Sequence, residues 1–119
     1  MTRTLKEIVD ALKLAVSTCG DHLSCRTVTG GYAGDMLSDV LAHARKGQVW
    51  VTLQTHTNIV AVASSKELCG IIVVNGRTPE AATLEKAEQE HIPVLVSPLS
   101  SYDVVARLCE LGVTNREGV

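Results

Sequence analysis

Phenylalanine is absent from this chain, and with one Trp and two Tyr in 119 residues the aromatic share is only 3%. A core must therefore be built from Val, Leu, Ile and Ala, the aliphatic set that suits strands covered by helices on both faces. No apolar run approaches the roughly 20 residues needed to span a bilayer. The Met-Thr-Arg-Thr start passes straight into an amphipathic pattern without the apolar centre of a signal peptide. The expectation is a cytoplasmic protein with no membrane contact. Neither charge sign dominates: Lys+Arg 11 against Asp+Glu 13 gives a net charge of -2. No basic run follows a helix or alternates with stacking aromatics, which argues against nucleic-acid binding.

Catalytic constellations are missing as well. There is no Gly-x-Ser-x-Gly elbow, Ser/His/Asp set or paired-carboxylate arrangement, so the chain is expected not to be an enzyme and to need no cofactor. The glycine-rich run from Thr29 to Asp35 lacks the Gly-Lys-Ser/Thr ending of a phosphate loop, and the spacing of Gly30 and Gly34 fails the dinucleotide fingerprint. Cys19, His22 and Cys25 are spaced Cys-x-x-His-x-x-Cys, but without a Cys-x-x-Cys knuckle they read as a solvent loop rather than a metal site. Cys69 and Cys109 fall in apolar patterns where a reduced thiol behaves as a small hydrophobe.

What is present is a rhythm. Hydrophobic residues make up 45% and charged residues 20%, ordinary globular usage, and the length suits one domain over residues 1–119. Thr4 and Glu7 form a capping box ahead of a helical stripe of Leu5, Ile8, Val9 and Leu12. Leu14 to Val16 suits a short strand, although a longer helix fits the period equally, and Arg26 to Tyr32 suits a second strand. Asp35 is placed to cap a helix that buries Met36, Leu37, Val40, Leu41 and Ala44 and stops at Gly47. Strands over Val49 to Gln54, Gly70 to Val74 and Pro93 to Ser97 then alternate with helices over Thr57 to Leu68, Thr78 to Glu90 and Ser101 to Leu111, the last closed by Gly112. Thr78-Pro79-Glu80 reads as an N-cap, a first-turn proline and a carboxylate facing the helix dipole. Such alternation predicts an α/β fold, a mainly parallel sheet of about five strands flanked by helices. The unbroken run Ile71 to Val74 suits a central strand buried on both faces.

In parallel sheets ligands gather beyond the carboxyl ends of the strands, where helix N-termini present free N–H groups. Gln54, His56, Thr57 and Asn58 follow one strand; Asn75, Arg77 and Thr78 follow the next. Arg77 supplies a planar donor fork for a carboxylate or phosphate, and these seven residues form the candidate ligand site. The competing reading makes them plain caps and turn residues. His56 has no sequence-evident nucleophile beside it and no carboxylate before Glu67, which leaves it a binding residue rather than a general base.

The runs Val28 to Val40, Val49 to His56, Ile59 to Ala63, Gly70 to Pro79 and Pro93 to Ser100 together resemble a stand-alone DRTGG-domain protein, over nearly the whole chain. That family is similar in fold to the N-terminal domain of HPr kinase, and its modules occur in CBS-domain pyrophosphatases and some phosphotransacetylases. The resemblance implies a regulatory or adaptor module, a homodimer, a small anionic metabolite or nucleotide as ligand, and a partner enzyme, for which an iron-hydrogenase system is one candidate because the small versions are often encoded beside iron-hydrogenase subunits. It implies no kinase activity, because the phosphate-binding loop of HPr kinase belongs to that protein's other domain. The chain departs from the family's naming motif: Gln54-Thr55-His56 stands where the acidic-Arg element belongs, and Val74-Asn75-Gly76 replaces the Thr-Gly-Gly element.

Overall fold

Along the central strands every second side chain enters a different core. β5 (Gln48–Thr52) and β6 (Gly70–Val73) lie parallel and pair Trp50 with Ile71 and Val51 with Ile72. Outside them run β4 (Gly30–Ala33) and β7 (Val94–Val96), both parallel to their neighbours, and β2 (Ala15–Val16) closes the sheet antiparallel to β7 in the order β2-β7-β6-β5-β4. The computed structural model describes residues 3–116.

On one face Val49, Val51, Ile72, Val74 and Leu95 pack against α1 (Leu5–Leu12) and α5 (Ser101–Glu110). On the other, Trp50, Ile71, Val73 and Val94 pack against α2 (Leu37–His43), α3 (Asn58–Ser65) and α4 (Ala81–Gln89). The predicted α/β architecture and the doubly buried Ile71 to Val74 strand are both observed. The capping box at Thr4 is also formed, with Leu5, Ile8, Val9 and Leu12 buried. Among the described residues no helix is long and apolar enough to cross a membrane.

Corrections cluster in the first third of the chain. The single strand expected over Arg26 to Tyr32 is two: β3 (Thr27–Val28) pairs antiparallel with β1 (Arg3–Thr4), and β4 belongs to the main sheet. Thr29 separates them because its N–H donates to the Gly47 carbonyl and its hydroxyl to the Lys46 carbonyl. Gly20–Cys25 is a 3-10 helix that buries Leu23, not an open solvent loop, and Cys19 at its head is buried. Asp35 does not cap α2: Met36 holds that position without a side-chain capping bond. Met36 and Leu41 are exposed, at 67% and 44%, and within the short helix Val40 is the residue turned fully inward. Thr78 does not open α4 either, since the proline after it favours extended backbone and the helix begins beyond Glu80.

Candidate functional site

Because β5 and β6 are adjacent and parallel, the loops that leave their carboxyl ends emerge side by side. The Thr55 carbonyl binds them together, accepting the Glu80 N–H at 3.2 Å and the buried Thr83 hydroxyl at 2.7 Å. The loop after β6 is a tight turn: Asn75 and Gly76 have φ of 60° and 62°, and the Arg77 N–H donates to the Val74 carbonyl at 3.2 Å. Two successive positive φ values are those of a type I′ turn, which explains Asn-Gly at this point. The Asn75 and Gly76 amides donate to the Leu99 and Ser97 carbonyls, each at 2.8 Å, so this turn is also pinned to the loop after β7. Arg77 therefore stands on a fixed backbone with an exposed side chain, and makes no ion pair among the described residues.

Across from it the Gln54 amide donates to the Asp35 carbonyl at 2.9 Å, which commits that side chain to holding the loop after β4. His56 Nδ1 accepts the Asn58 N–H at 3.3 Å and does the capping that the Thr57 hydroxyl does not. With Nδ1 engaged in this way, Nε2 is the ring nitrogen of the exposed imidazole left to face a ligand. Thr57 and Asn58 line a cavity of about 460 Å³ between α3 and α4, with Ala61, Ala82, Glu85, Lys86 and Gln89. Gln54, His56, Asn75, Arg77 and Thr78 lie outside that cavity. None of the seven is acidic, and the exposed Arg77 guanidinium presents donors suited to an anion.

Sequence reasoning missed what holds these loops. Asp35 reaches across to β5, where its carboxylate accepts the Thr52 hydroxyl and the Leu53 N–H, both at 2.8 Å. The buried Trp50 indole N–H donates to the Gly34 carbonyl at 2.8 Å. An aspartate ahead of an apolar stripe carries the same sequence signal whether it caps a helix or braces a strand end.

The cysteines are arranged differently from the pattern. Cys109 is exposed, not part of the core, whereas Cys19 and Cys69 are buried. Burial, and then the Glu88 carboxylate whose Oε2 lies 3.5 Å from the sulfur, push the Cys19 thiol up to about 11. Among the described residues no group of three or more His, Cys, Asp or Glu is placed to hold a metal ion.

The fold is that of a small, mainly parallel α/β domain with helices on both faces of its sheet. The family model of the DRTGG domain matches residues 7–111, and the chain belongs to that family. Among solved structures it is similar to the CBS and DRTGG domains of the regulatory region of Clostridium perfringens pyrophosphatase, with a TM-score of 0.70 and 18% identity over 88% of this chain. That structure holds the activator diadenosine tetraphosphate, and the present chain spans 45% of its length. No curated protein sequence matches the chain.

Proposed function

We propose that the protein is a non-catalytic regulatory or adaptor module that binds a small anionic metabolite or nucleotide at the carboxyl ends of β5 and β6. Gln54, His56, Thr57, Asn58, Asn75, Arg77 and Thr78 form that site. The observation that carries the reading is the Thr55 carbonyl, which locks the two loops together beside an exposed arginine without an ion-pair partner among the described residues. Preformed loops spare a ligand the cost of ordering them. Membership of the DRTGG family and the nucleotide activator of the similar pyrophosphatase regulatory region support the same reading. In this proposal the module works as a homodimer in the cytoplasm and modulates a partner enzyme, with a hydrogenase-type complex as the first partner to try.

A panel of nucleotides, acyl phosphates and small carboxylates in a thermal-shift assay tests the site. A ligand that binds only the folded state at a hundred times its Kd adds about 2.7 kcal/mol. The active compound raises the Tm of wild type and much less that of Arg77→Ala or His56→Ala. Equal shifts in all three proteins, or none in wild type, would transfer the function to the second reading, a structural interaction domain without a small ligand. That second reading draws on the Gln54 side chain, which gives one amide N–H to the Asp35 carbonyl and so helps to hold the loop after β4. Light scattering at micromolar concentration tests the dimer separately, and a monomer mass throughout would remove it.

A further inference from the structure

The two edges of the main sheet are finished differently. On β4 the Gly31 N–H donates to the Thr114 carbonyl at 3.0 Å, and the Asn115 amide donates to the Gly31 carbonyl at 2.7 Å. The segment after α5 thus occupies that edge. Along β2 nothing equivalent lies among the described residues: Ala15, Val16 and Ser17 are all exposed, Val16 at 42%. The phase of this strand is set by the Ser17 N–H, which donates inward to the Val94 carbonyl at 2.8 Å, and by the pairing of Val16 with Leu95. Inward and outward groups alternate along an antiparallel strand, so the N–H and carbonyl of Val16 face outward.

Beside this open edge lies a cavity of about 510 Å³ between the Val16 to Gly20 segment and α4, where Leu84, Glu85 and Glu88 line it. Its lining holds two carboxylates and no basic residue. Glu88 is fixed in place because its Oε2 accepts the Cys19 N–H at 2.9 Å. Glu85 makes no ion pair among the described residues.

We propose that the β2 edge receives an extended segment of a partner protein, which adds a strand beside Val16 and lays a lysine or arginine side chain in the cavity against Glu85 and Glu88. Alternate residues of an added strand project over the α4 side of the sheet, where Leu84 beds the aliphatic stem and the carboxylates meet the charged head. The backbone supplies affinity and the acidic cavity selects a basic segment, the usual division in strand addition. A second copy of the chain would bring Ala15-Val16 to the edge, and its nearest basic residue, Lys13, stands outside the strand in left-handed backbone at the end of α1. Because β2 is two residues long, the ladder is short and the contact reversible, as a regulatory partner requires. The inference does not depend on the small-ligand reading.

The test uses the full chain and two labelled hexapeptides, Val-Lys-Val-Lys-Val-Lys and Val-Glu-Val-Glu-Val-Glu, read by fluorescence anisotropy and by backbone amide shifts. The lysine peptide binds, moving amides from Ala15 to Gly20, and the glutamate peptide does not. Val16→Pro removes the outward donor without breaking an internal bond and weakens binding about tenfold. Glu85→Lys reverses the preference between the peptides. Should Val16→Pro fail to fold, a lysine peptide N-methylated on its backbone replaces it and also fails to bind. The proposal is overturned if neither peptide binds or if binding survives both backbone changes. A concentration-dependent dimer that Val16→Pro dissolves also overturns it, because the edge then belongs to a second copy.

Discussion

The carboxylate of Asp35 accepts the hydroxyl proton of Thr52 across 2.8 Å, joining the loop after β4 to the end of β5. Thr52 is fully buried, and the same carboxylate oxygen also accepts the Leu53 N–H. Asp35→Ala leaves both donors without this acceptor and is expected to cost about 1–3 kcal/mol. Urea unfolding measures it, and Asp35→Asn should recover part of the loss because the amide oxygen can still accept. If Asp35→Ala unfolds at the wild-type midpoint, the brace is ornamental.

Gly30 tests the covered edge. A Cβ at this position would lie 2.6 Å from the Thr114 carbonyl oxygen, closer than the two atoms can approach, and that oxygen is backbone. Gly30→Ala must push the segment after α5 off β4 or distort the strand, at about 1–3 kcal/mol. The Gly31 amide, which donates to Thr114, should then lose hydrogen-exchange protection more than the amides of β6 do. Uniform loss across the sheet would place the strain elsewhere.

From Gln48 to Glu110 the fold was legible because each strand is a continuous apolar run and each helix a longer periodic one, separated by polar turns. The short alternation at Leu14 to Val16 does mark the strand Ala15–Val16, although a longer helix fits it equally; Thr27–Val28 is too short to show a period, and both strands are held by their partners β7 and β1. No local pattern distinguishes Thr29, which leaves the ladder for the Gly47 and Lys46 carbonyls, from a residue that stays in it. At the candidate site, the adjacency of the loops after β5 and β6 followed from strand order alone. The uses of Gln54 and His56 Nδ1 did not, since each depends on where a long-range or rotamer-dependent partner falls.

The thiols should divide into two pairs. Cys25 and Cys109 are exposed and should alkylate in the native protein, whereas buried Cys19 and Cys69 should wait for unfolding. Burial pushes Cys69 from 9.0 up to about 11, the nearby Arg26 charge only partly opposing it. A raised folded pKa means that the thiol's contribution is complete below the unfolded value and is lost as pH rises through the folded one. The stability of wild type relative to Cys69→Ala should therefore narrow between 9.0 and about 11. Urea midpoints across that range check it, and a difference that stays constant or widens would contradict the assignment.

The capping box of α1 gives the opposite sign at the acid end. The Thr4 hydroxyl accepts the Glu7 N–H at 3.2 Å, and Glu7 Oε1 accepts the Thr4 N–H at 3.0 Å. That backbone hydrogen bond, opposed by desolvation and helped by the Thr4 hydroxyl and Arg3, lowers the Glu7 pKa below 4.5. A depressed folded pKa stabilises above the unfolded value, and the contribution disappears as pH falls through the folded one. Wild type should thus exceed Glu7→Gln in stability at neutral pH and converge with it below 4.5. Thr4→Ala, which removes the hydroxyl side of the box, should cost about 1 kcal/mol. Its effect should persist in acid to the extent that the hydroxyl still accepts the Glu7 N–H, an uncharged bond. Since α1 buries Leu5, Ile8, Val9 and Leu12 against the sheet, loosening its first turn should appear as a shift of the whole cooperative transition rather than as local fraying. A Glu7→Gln difference that is the same at pH 7 and in acid would show that the carboxylate charge plays no part in holding the helix start.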